Sequence, residues 1–279
     1  MNRKFILTDE VKIHNYVTLH RIQAVRSFGD VSEGELGGWV EREENLSHIG
    51  NCWVYDEAIV FDYARVEDNA CIRDHAELFG HAILSHECQI LDEAIVFGEA
   101  MVYDRAVIKE MAHVSDHATV YEDSIIFGSA KICGYASIHG RAKVYDQAVA
   151  YGNAVICEAS RVCENSQIYG KAYLGGSGIV HGDAFVYGAA YLFGEYNIKD
   201  SFDVLQLGPV KNKWLENKIP GYCYDFFTIY FSGGKVSAHF KNKLLPVDSW
   251  IEIADQVFDS VDEVRELLQA TAKLLICNR

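Results

Sequence analysis

Proline is nearly missing from this chain, with three in 279 residues against 22 glycines, so proline-rich linkers are excluded. Long hydrophobic runs are missing too. No stretch reaches the 18 or so consecutive apolar residues of a membrane-spanning helix, so no membrane association is expected. The opening MNRKFILTDEVKIHN starts with charge but lacks the apolar run of a signal peptide. The eight cysteines form no CxxC pair and no metal-type cluster, and they read as reduced, packed thiols of a cytoplasmic protein. Positive charge is scarce: 25 Lys and Arg face 40 Asp and Glu, a net of −15. That balance argues against binding nucleic acid through its phosphates and fits solubility, or a basic protein partner. No GxSxG, P-loop, HExxH or dinucleotide fingerprint occurs, so no catalytic residue, metal or cofactor is assigned.

What is abundant is repetition. From Cys52, every sixth residue as far as Ala190 is small: 18 Ala, three Ser, two Cys and one Gly fill 24 slots. Two places later the residue is Val, Ile or Leu in 23 of the 24 units, with Ala150 the exception. Two places on again it is Asp, Glu or Gly, with His86 the one departure. The apolar fraction, 49%, is ample for a core.

A small and a branched residue two apart lie on one side of an extended strand. The Asp or Gly that follows turns the chain. Each unit is therefore a short strand and a corner. Three units per turn give a triangular parallel β-solenoid of about eight coils, its prism filled by the branched side chains. The pattern resembles the hexapeptide repeat of left-handed parallel β-helices, and the resemblance implies the hand.

A solenoid needs covered ends. Residues 1–51 are expected to form a β cap, with KFIL and YVTLHRIQAV as strands joined at His14-Asn15 and a further turn at Gly37-Gly38. Residues 52–199 form the solenoid. Residues 200–279 follow another grammar. Two β-runs flank Gly233-Gly234 as a hairpin, a shorter helix opens near Asp248 or Ser249, and a capping box from Ser260 to Glu263 opens another, an α+β module.

With a period of 18, the outward residues sort onto three faces. One carries Phe61, Phe79, Phe97, Ser115, Cys133, Tyr151, Tyr169 and Tyr187, with Ile59, Ile95, Val149 and Phe185 alongside. An apolar column of this kind marks an interface, or else a ladder that stabilises neighbouring strands, or a surface the C-terminal module covers. On one corner Asp56, Asp74, Asp92 and Glu110 stack. Stacked carboxylates can bind a cation or a basic partner, and Asp also simply suits a tight corner. The histidines, among them His113, His117 and His139, are scattered.

LHRIQAV, FGDVSEGELGGWVEREENLS and GNCWVYDEA, followed by the hexads, resemble a hexapeptide-repeat family of phages, prophages and bacterial genomes. Its members are often labelled polymer-forming or acyltransferases. The resemblance implies a phage or prophage accessory protein that occupies a host-defence protein or its nucleotide signal, in the host cytoplasm. The reading from the residues is a non-catalytic binding protein acting as a homo-oligomer, dimer or trimer, through a solenoid face or the C-terminal module. The alternatives are an acyl-CoA-dependent transferase, with one of His113, His117 or His139 as base, and a structural, polymer-forming scaffold.

Overall fold

The computed structural model describes residues 3–199 and the backbone of four strands between residues 204 and 246. The chain divides into two compact units, residues 1–151 and 152–279.

The first unit opens with a hairpin of β1 (Phe5–His14) and β2 (Val17–Ala24), with His14 opposite Val17. The two loop residues, Asn15 and Tyr16, both have positive φ, 49° and 66°, which matches the twist of the flanking strands. β3 (Leu36–Val40) runs antiparallel to β2 on one side and parallel to Ile59–Val60 on the other. It converts a hairpin into a parallel stack. The turn expected at Gly37-Gly38 is absent, because both glycines lie within β3 and are buried. A Cβ on Gly37 would meet the Val54 carbonyl oxygen at 2.6 Å, and one on Gly38 the Ala58 carbonyl oxygen at 2.6 Å. Close backbone approach, not turning, selects glycine there.

From Trp53 onward two-residue strands recur every sixth residue and pair in parallel at an offset of 18. One wall pairs Ile59, Glu77, Ile95, His113, Lys131 and Val149 in succession. A second pairs Trp53, Cys71, Gln89, Val107, Ile125 and Lys143. A third pairs Arg65, Ile83, Met101, Thr119 and Ser137. This is the expected triangular β-solenoid. Its inward slots, such as Ala76 and Leu78, are fully buried. Each buried Val, Ile or Leu is worth roughly 1.5–3 kcal/mol. Ser124, in a small slot, returns its hydroxyl to the Tyr121 carbonyl at 2.7 Å, so its own polar group is satisfied. The stack begins before the regular hexads: Leu46, after a 3-10 turn at Glu43–Asn45, already bridges in parallel to Val66.

The second unit continues the pattern. Val155 pairs with Tyr173 and Tyr173 with Tyr191; Arg161 pairs with Ile179 and Ile179 with Asn197; Gln167 pairs with Phe185. Gly178, the one glycine in the small-residue series, has a specific cause. A Cβ there would sit 2.3 Å from the ring of Tyr196, one coil later. That ring is buried, and its hydroxyl donates to Ser160 Oγ at 2.9 Å. An oversized residue thus fills the column through a gap left two coils deep. Beyond it Val204–Lys211, Tyr224–Ser232, Lys235–Phe240 and Lys243–Pro246 form a four-stranded antiparallel sheet in sequence order, with Ser232 opposite Lys235 as the expected hairpin requires. The helices expected after Pro246 lie outside the described residues. Among the described residues no helix is long and apolar enough to cross a membrane.

Candidate functional site

The wall that starts at Ile59–Val60 carries the column of outward aromatics. Phe61 and Phe79 stack at 4.9 Å between centroids with a 15° interplanar angle, and Phe79 and Phe97 at 5.1 Å and 7°. In the second unit Tyr169 and Tyr187 stack at 5.2 Å, with Phe185 half-buried beside them. Stacking is the ladder function the spacing allowed, since identical offsets hold flat rings in register. The residues are not equally available. Phe61 is only 5% exposed: the His14 ring meets it edge-on at 5.7 Å, and Leu19, Trp39 and Ile59 complete a small core. The hairpin thus covers the start of the column. Phe79, Phe97 and Tyr151 are half-buried and reach solvent.

His113 lies on the same wall between Ile95 and Lys131. Burial, which disfavours the imidazolium, holds its pKa below the usual histidine value, and the Lys131 charge adds to the effect. The ring is therefore neutral near pH 7 and able to accept a proton.

The acidic corner is a backbone device. Asp56, Asp74, Asp92 and Glu110 all sit in the left-handed region, with φ between 51° and 60°. Each carboxylate accepts the amide of the corner residue one coil on: Asp56 from Asp74 at 3.3 Å, Asp74 from Asp92 at 3.0 Å, Asp92 from Glu110 at 2.9 Å, and Glu110 from Gly128 at 3.0 Å. Other corners do the same, as with Asp116 to Gly134 at 2.9 Å and Glu122 to Gly140 at 2.7 Å. At the start of the stack Glu41 supplies the acceptor for Asp62 at 2.7 Å. His86, the one departure from Asp, Glu or Gly, still meets the corner residue one coil on, its Nδ1 lying 2.9 Å from Asp104 Oδ1. Among the described residues no group of three or more His, Cys, Asp or Glu is placed to hold a metal ion.

Three further histidines are ordered by the same offset. His81 stacks on Tyr63 at 4.9 Å, His117 on Tyr135 at 4.6 Å and His139 on Tyr121 at 4.7 Å. These pairs lie off the aromatic wall, where the 18-residue offset also brings each histidine onto a tyrosine one coil away. A groove of about 610 Å³ lies beside one pair, lined by Arg42, Asn45, Tyr63, Arg65 and His81 among others. Its arginines are engaged: Arg42 pairs with Glu41 and lies over the Tyr63 ring at 5.0 Å, and Arg65 reaches Glu67 at 3.3 Å.

No family model matches the chain. The chain is similar to the uncharacterized acetyltransferase YdcK of Escherichia coli (strain K12), with 41% identity over 68 residues, 21% of this chain and 21% of that protein. It thus spans about a fifth of the length of the curated relative it matches. That likeness and the stacked hexads fit a hexapeptide-repeat protein.

Proposed function

We propose that the protein is a non-catalytic binding scaffold that associates with a second copy of itself through the aromatic wall. The observation that carries this reading is the run of Phe79 and Phe97 stacked in the open, with Ile95 and Val149 alongside on a rigid sheet. Half-exposed rings in register bury apolar area at little cost in side-chain entropy, because each is already held by its neighbour. The acidic surface suits a basic protein as a further partner. Resemblance alone carries the idea that such a partner is a host factor.

Ser115 already occupies the same column, so the wall accommodates serine there. Replacing Phe97 and Tyr151 together with serine is expected to reduce the mass in solution from a multiple of 31.3 kDa to the monomer, read by light scattering after size exclusion. A wild-type monomer, or a variant of unchanged size, would remove this wall as the interface.

An acyl-CoA-dependent transferase is the second reading. It is favoured by the name of the similar protein and by the neutral His113 on this wall. A general base must hold its nucleophile within about 3 Å, in a cleft that excludes water. Calorimetry with acetyl-CoA separates the readings: binding, with turnover lost on His113→Ala, supports the transferase, and no binding at millimolar ligand removes it.

A further inference from the structure

Lys4 precedes β1 and is fully buried, as is Cys52 at the head of the first hexad. A buried ammonium ordinarily requires a carboxylate partner. Lys4 has none among the described residues. Its Nζ donates to the Cys52 carbonyl oxygen at 2.8 Å, approaches Cys52 Sγ at 3.1 Å and lies 5.0 Å from the centre of the Phe28 ring. Burial lowers the Lys4 pKa and raises that of Cys52, each partly offset by the other group. Both directions favour a neutral amine beside a neutral thiol, and the amine 3.1 Å away is placed to take the thiol proton that must leave before sulfur reacts. Packing does not require the sulfur, since alanine fills this slot in 18 of 24 units.

We propose that Lys4 and Cys52 form an oxidative modification site, which a peroxide closes into a sulfur–nitrogen cross-link tying the N-terminal strand to the first coil. In the first step Sγ attacks one peroxide oxygen and the O–O bond breaks. The thiol proton passes through Nζ to the departing hydroxide, which leaves as water, and a sulfenic acid remains. In the second step the Nζ lone pair attacks sulfur and the S–O bond breaks. Hydroxide leaves as water with one proton from nitrogen. The net change is one thiol, one amine and one hydrogen peroxide to one S–N bond and two waters; sulfur is oxidised and peroxide reduced. The separation of 3.1 Å is already that of a near-attack pair.

Access is through one turn. Cys52 Sγ lies beneath the Ser47 and Ile49 carbonyls, at 3.4 and 3.8 Å, and Ile49 above it is 73% exposed. Local opening of residues 47–51 admits a molecule the size of peroxide. The link joins positions 48 residues apart, so it restricts the unfolded chain as a disulfide does. Excess thiol reverses it by attacking sulfur and releasing the amine.

The test is peptide mapping by mass spectrometry of the full chain after treatment with hydrogen peroxide. The expected product is a Lys4–Cys52 cross-linked peptide pair, lighter than the two peptides by two hydrogens, lost on adding thiol, with a thermal midpoint several degrees higher before reduction. Cys52→Ala, which installs the commonest residue of the slot, and Lys4→Met each abolish the cross-link and the shift. Cys88→Ala, at a buried cysteine of the same series, preserves both. Sulfenic or higher acids of Cys52 without a link to Lys4 would overturn the proposal, as would an untouched Cys52 under peroxide that oxidises the exposed Met101 and Met111. A linked pair that retains the oxygen would overturn the condensation step.

Discussion

An aspartate with positive φ carries a steric penalty that glycine does not. The corners of this protein nevertheless hold many aspartates and several glutamates in that conformation. The ladder of carboxylates explains them. A corner amide points along the prism axis and has no strand partner, and the side chain one coil earlier supplies its acceptor. Asp92 both donates to Asp74 and accepts from Glu110. Asp92→Ala should therefore lower stability by about 1 kcal/mol, the usual worth of one such hydrogen bond. Asp92→Gly should cost less, because glycine carries no penalty at positive φ on a corner where Gly128 already stands, and Asp92→Asn least, because it keeps the acceptor. Urea midpoints of the three variants check the order. The corner letter was legible in the sequence as turn chemistry. Its second role was not, because the partner lies 18 residues away and the hydrogen bond joins a side chain to a backbone group that no residue name reveals.

At the scale of elements, the cap is held by a cluster that no repeat encodes. Glu57, at the first corner, accepts from Arg21 at 2.7 Å and from Trp39 Nε1 at 2.9 Å, and Lys12 stands 3.6 Å away. The Arg21 hydrogen bond chiefly, with help from Trp39 and the two positive charges, holds the Glu57 carboxyl below its ordinary value of 4.5. A depressed folded-state pKa means that the unfolded chain binds more protons between the two values, so stability rises with pH across that window. The contribution is complete above about pH 4.5 and is lost as pH falls through the lower folded-state value. Glu57→Gln should remove that part of the slope: wild type and variant should differ more in urea midpoint near neutrality than in strong acid. The two strands of the cap were legible from their apolar runs. β3 was not, because its Gly37-Gly38 reads as a turn until the Trp53 and Ile22 side chains that crowd Gly37 are in place.

For the whole molecule the governing number is 18, the residues in one coil. Deleting Thr119–Ala136 removes one complete coil and leaves every later wall residue in its column. Deleting Thr119–Ser124 keeps the six-residue grammar but turns everything downstream by one wall, which takes His139 out of the column of Tyr103, where the first deletion leaves it. The first deletion should fold with a thermal midpoint close to wild type, since each coil contacts only its neighbours. The second should fold with a clearly lower midpoint. Equal midpoints would show that the outward columns contribute nothing to stability.

The sequence by itself determined the strand, the corner, the three walls and the residues facing inward, because a period of six in extended chain leaves one arrangement that buries every branched side chain. It placed Phe61, Phe79 and Phe97 in one column as well. Only the tertiary structure decided which members of that column are open. Phe61 and Phe79 stand in equivalent slots, yet one lies under His14 and Leu19 while the other reaches solvent. A repeat specifies what its neighbours in the stack must be. It does not specify where a non-repeating hairpin folds back, and that depends on contacts such as Lys4 to Cys52 and Arg21 to Glu57, between residues with no periodic relation.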